Sequence, residues 1–154
     1  MAQCSEWGAV GEERIIDGMT LPTIIALIAV VGAALLHLFI FWLEAFAWEG
    51  PTARKIFGGT AEEARAHAFY AFNQGFYNLF LAIGAAIGAV LVAVLRGVGT
   101  IGTVGTTLAL FSTASMLCAA LVLFAASPAH RSAAVKQGAL PLIGVILLIW
   151  TLIA

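Results

Sequence analysis

The chain has 154 residues, 62% of them hydrophobic and only 10% charged, and its mean hydropathy is +1.06. A water-soluble domain of this size cannot hide that much apolar surface, so a soluble globular fold is excluded and a lipid bilayer becomes the first expected partner. The formal net charge of −1 gives no basis for nucleic acid as a partner.

The first twenty residues, MAQCSEWGAVGEERIIDGMT, lack the basic start and apolar run of a signal peptide. They read as a solvent-side N-terminal tail, residues 1–20, with Met19 as an alternative start. Cys4 in this tail and Cys118 in a later apolar run are the only cysteines. A disulfide framework or cysteine metal site is therefore not expected, and Cys118 is expected to pack as a buried small hydrophobe.

Four apolar runs then follow, each long enough to cross a hydrocarbon core ~30 Å thick. The first spans about residues 21–48, with Thr20 placed to cap it and Pro22 in its first turn, where a missing N–H costs nothing. At its full length of roughly 42 Å it must tilt or project from the bilayer. Gly50-Pro51 ends it, and a basic connector with Arg54 and Lys55 follows. Thr60 and Glu63 have capping-box spacing and start the second helix, about 61–95.

Arg96, Gly97 and Gly99 make a tight turn into the third helix, about 100–126. Ser127-Pro128 ends that helix, and the fourth runs over about 132–153, with Pro141 expected to kink it. Short connectors between long apolar helices imply an all-α membrane protein, an antiparallel up-down bundle of four transmembrane helices over residues 21–154. Gly84 with Gly88, Gly99 with Thr103 and Gly102 with Thr106 are small-xxx-small pairs, read as packing inside the bundle rather than a dimer seam. Thr106, Thr107, Ser112, Thr113 and Ser115 are expected to bond to carbonyls of their own helix or to a neighbour.

Arg54, Lys55, Arg65, Arg131 and Lys136 fall on one side of such a bundle, against Arg14 and Arg96 on the other. The positive-inside rule then turns both termini away from the cytoplasm, in a multi-pass protein of the inner or plasma membrane.

The polar residues concentrate on the first two helices. His37 and Glu44 are seven residues apart, within about 20° of one helical face. On the second helix His67, Tyr70, Asn73, Gln74, Tyr77 and Asn78 fall within an arc of about 140°. A carboxylate at the membrane centre costs ~3 kcal/mol or more, so Glu44 is expected to be protonated, bonded to a partner, or wet. Taken singly, each of these residues reads as interhelical glue, and Glu44 as a partner of Arg65 or Lys55. Taken together at one level, they read as a pocket in the cytoplasmic half of the bundle.

Glu44, His37 and Tyr77 are the candidate catalytic residues. Asn73, Gln74, Asn78, Tyr70, Gln137 and Trp48 are the candidates for binding a substrate. His37, Glu44, His67 and His130 are the residues a metal or haem site would draw on, but no local ligand spacing such as His-Glu-x-x-His occurs, and no cofactor or metal is expected. His130 with Arg131 reads as a surface feature, and Trp42, Trp48 and Trp150 as packing or interface anchors.

The stretches HLFIFWLEAFAW, ARKIFG, FNQGFYNLFLAIG and KQGALP resemble a family of small four-helix integral membrane proteins known as domain of unknown function 1304. The resemblance covers roughly residues 20–154 and rests on His37, Glu44, the run Asn73 to Asn78, and Gln137-Gly138. It implies that these residues matter together, and it carries no established activity. Phe76 and Leu79 stand where the family pattern leads one to expect leucine and glycine, a departure expected to alter packing near Tyr77.

The expectation is an integral membrane protein that binds, and in its enzymatic version transforms by acid/base chemistry, a small lipid-soluble molecule. Alternatives are a proton-coupled transporter of small apolar or cationic compounds, and an accessory subunit of a larger membrane complex. Self-association into a homo-oligomer is compatible with each.

Overall fold

The computed structural model describes residues 14–16 and 19–154. The acidic tail with Cys4, Glu6, Glu12, Glu13 and Asp17 lies outside the described residues. A short antiparallel pair, β1 (Arg14–Ile16) with β2 (Met19–Thr20), precedes the helices. These are α1 (Leu21–Phe46), α2 (Pro51–Phe57), α3 (Ala61–Leu95), α4 (Gly99–Ala126) and α5 (Arg131–Ile153), with a 3-10 turn at Pro128–His130. Four segments are long and apolar enough to cross a membrane: α1, α3, α4, and the 3-10 turn with α5. The chain is thus a small multi-pass membrane protein.

The helix starts follow local chemistry. The Thr20 hydroxyl accepts from the Thr23 backbone N–H at 3.5 Å, ahead of Pro22 in the first turn. At α3 the capping box is complete: Glu63 Oε2 accepts from the Thr60 N–H at 2.7 Å, and Thr60 Oγ1 from the Glu63 N–H at 3.2 Å. The α3–α4 turn places Arg96, Gly97 and Gly99 at positive φ. Gly99 has open space around it, so its backbone conformation, not packing, calls for glycine. The connector after α1 departs from expectation. It folds into α2, whose start at Pro51 follows the rule that places proline in a first helical turn.

Each long helix packs against two neighbours in a ring, α1 on α3 and α5, and α4 on α3 and α5. Gly84 meets Ser112, Gly88 meets Ala109, and Gly105 meets Leu91 and Val92, so rising numbers on α3 face falling numbers on α4. Between α4 and α5, Gly138 lies against Ala120 and Gly144 beside Thr113. Small residues let backbones touch, and in lipid that contact replaces the hydrophobic effect as the source of cohesion. Gly84 and Gly88 thus serve internal packing.

The core is built largely of alanines, with Val30, Val92, Met116 and Leu148 among the larger side chains. Thr106, Thr113 and Ser115 donate to carbonyls of their own helix at 3.1, 2.7 and 2.8 Å. Cys118 departs from expectation: it is exposed on α4, because the helical phase that buries Met116 and Ala120 turns it outward.

Candidate functional site

α1 carries Glu44 into its last turn, where the side chain is only 5% exposed. Gly75 of α3 lies opposite. A Cβ added there would sit 3.2 Å from the Ala45 nitrogen, the Glu44 Cβ and the Phe41 oxygen, so the missing side chain is what brings α3 this close. Gln74 and Asn78, one turn apart beside this contact, both reach the carboxyl. Gln74 Nε2 donates to Oε1 at 3.2 Å and Asn78 Nδ2 to Oε2 at 2.8 Å. Asn78 Nδ2 also donates to the Gln74 backbone carbonyl at 3.3 Å, which anchors the Asn78 amide to its own helix.

Each carboxyl oxygen therefore has one neutral donor. Neither alternative cation supplies one among the described residues: Arg65 Nε lies 3.6 Å from Glu49 Oε2 in an exposed pair, and Lys55 makes no ion pair with Glu44.

Beside this carboxyl a cleft of about 770 Å³ opens between α1, α3, α4 and α5. His67, Tyr70, Gln74, Tyr77 and Asn78 line it from α3, and Gln137 from α5. Tyr70 and Tyr77 are 69% and 62% exposed, so their rings form its rim and not a closed wall. From α4 come Ala119, Val122, Leu123 and Ala126, an apolar side that drew no notice in the sequence because nothing polar marks it.

Asn73 does not line the cleft and is exposed. At 100° per residue it lies about 40° beyond Tyr77, outside the arc that the other polar residues share. His37 is also not among the lining residues. It is 1% exposed, and its Nδ1 donates to the Ala33 carbonyl at 2.9 Å.

Trp48 lines the cleft from beyond the end of α1, because the helix stops at Phe46, two residues short of the expected boundary. Its Nε1 donates to the Ala64 carbonyl at 2.8 Å, and its ring centroid lies 5.4 Å from that of Phe57. His130 closes the same end. Its Nε2 donates to the Phe57 carbonyl at 2.8 Å, and a neutral ring then accepts the Ser127 hydroxyl at Nδ1, 2.6 Å away. It is half-buried and joins two connectors, in contrast to the surface role expected for it. One turn after Gln137, buried Pro141 has no N–H, which leaves the Gln137 carbonyl without its usual helical donor.

Phe76, the departure from the family pattern, sits in a run of aromatic contacts with Phe41, Phe72 and Phe80 at centroid distances of 5.2, 5.0 and 6.3 Å. It braces α3 against α1 on the flank of Gly75. Among the described residues no three His, Cys, Asp or Glu side chains form a group able to hold a metal ion.

The family model described as protein of unknown function DUF1304 matches residues 30–149. The chain belongs to the DUF1304 family. The matched span contains Glu44, both amides and every residue of the cleft named above, so the arrangement lies within the part of the chain that defines DUF1304 membership. No curated protein and no solved structure matches the chain.

Proposed function

We propose that this protein is an up-down helical bundle of the cell membrane, with both termini away from the cytoplasm, that binds a small lipid-soluble molecule in the cleft beside Glu44. The observation that carries the reading is a buried carboxyl held by two amides at the edge of an apolar cleft. A site of this kind, mostly apolar with a few convergent polar groups and several hundred Å³ in volume, suits a small ligand. A carboxyl in an apolar bundle is also costly for purely structural use, since apolar packing would join α1 to α3 without it.

Glu44 is the polar anchor and the group able to give or take a proton. Gln74 and Asn78 hold its plane, while Tyr70, Tyr77, Trp48 and Gln137 border the space where a ligand lies. His37, bonded within its own helix, supports the position of α1 and does not touch the ligand. Asn73 makes no contribution to binding.

The test is to purify the protein with native lipid and compare organic extracts of wild type and Glu44→Gln by mass spectrometry. A small molecule enriched with the wild type and depleted from the variant is the expected result. Identical extracts from two equally folded proteins would remove the basis for the reading.

A further inference from the structure

We infer that the ligand of this cleft is a lipophilic cation, an amphiphile with an ammonium head and an apolar body; the inference rests on reading the cleft as a ligand site. Glu44 is the only Asp, Glu, Lys or Arg among the cleft-lining residues. Its two partners are amides, which supply dipoles and no positive charge. A carboxylate taken out of water without a counter-charge is unfavourable, and a cationic ligand supplies that charge where the lining has none.

The rings around the cleft suit the same head group. Trp48, Phe57, Tyr70 and Tyr77 all line it, and cations are attracted to aromatic faces, the more so where water is excluded. Ile40, Leu81 and Leu123 offer an apolar bed for the body of the molecule. Besides Tyr70 and Tyr77, the other titratable groups on the lining are the two histidines. His130 is occupied by Phe57 and Ser127, and His67 is exposed on the first part of α3.

The distribution of charge across the neighbouring wall points the same way. A second cleft of about 530 Å³ shares Ile40, Phe57, His130, Ala133 and Gln137 with the first, and its lining includes Lys55 and Lys136 and no acidic residue. Lys55 and Lys136 thus border the second cleft and Glu44 the first.

The experiment uses the whole chain in phosphatidylcholine nanodiscs, titrated calorimetrically with dodecylammonium, dodecanol and dodecanoate against empty-disc blanks. Dodecylammonium is expected to bind saturably, about tenfold tighter than dodecanol, with dodecanoate weakest. Glu44→Gln should bring the ammonium down to the affinity of the alcohol. Tyr77→Leu, at an exposed position that the fold tolerates, should weaken the ammonium more than the alcohol and serves where the Glu44 variant fails to fold. Equal affinity for ammonium and alcohol would overturn the cation assignment. It would leave the cleft standing if Ala119→Phe, which fills it from α4, abolishes both. If no probe binds saturably, or if Ala119→Phe changes nothing, the cleft reading falls together with the cation.

Discussion

The α3–α4 pair has two halves built on opposite rules. Toward the Arg96 turn, Gly84, Gly88 and Gly105 let the two backbones meet, and a Cβ at Gly88 would fall onto the backbone of Ala109. Toward α2, the same helices carry Tyr70, Tyr77, Val122 and Leu123, and a cleft lies between them. Glycine accounts for the closed half, since where a helix face lacks side chains the partner closes in, whereas Tyr70 and Tyr77 stand exposed at the rim of the open one. In the open half the close contacts are instead those of Gly75 with α1 and Gly138 with Ala120 of α4.

The most damaging way to break this contrast is to thicken the closed half. Gly88→Ala is expected to cost about 3 kcal/mol, because the obstacle is backbone and not a movable side chain, and thermal unfolding in detergent reads it directly. At the open half, Glu44→Ala should cost about 2 kcal/mol, since it strands two amides that now share the carboxyl. Glu44→Gln should cost less, because one amide is free to rotate and offer its carbonyl. Chemical denaturation of the two variants side by side separates them.

His130→Ala, which releases the Phe57 carbonyl and the Ser127 hydroxyl, is expected to lower stability by about 1 kcal/mol and to speed proteolysis in the α2 connector. Smallest of all is Asn73→Ala, within about 0.5 kcal/mol of wild type and without effect on any ligand extracted with the protein. An Asn73 effect as large as that of Asn78→Ala would show that the polar stripe acts as a whole and not through the face turned to the cleft.

The four long helices were legible because length and hydropathy suffice to define a span, and the caps at Thr20 and Thr60 behave as their spacing says. The pairing of Glu44 with the Gln74–Asn78 face was legible for a related reason, since polar groups at that depth need partners. The role of His130 was not, because its partner Phe57 lies 73 residues away and only the folded ring brings them together. α2 escaped notice since seven residues between glycines are too short to show a period. Asn73 falls outside the cleft lining because an arc of polar residues is wider than the face a helix presents to one cleft. Trp48 joined the site by a route the helical wheel does not describe, from the turn after α1.

Gly75 acts, in effect, as a spacer gauge for the carboxyl. A Cβ added there would lie 3.2 Å from three separate atoms of α1, so that single carbon would push the helices apart by a few tenths of an ångström. The contact from Gln74 is already 3.2 Å long, whereas that from Asn78 is 2.8 Å. A small widening would therefore release Gln74 first and leave Glu44 held at one oxygen, free to swing toward the cleft. The tolerance of the site is set by the absence of one methyl group on the opposite helix.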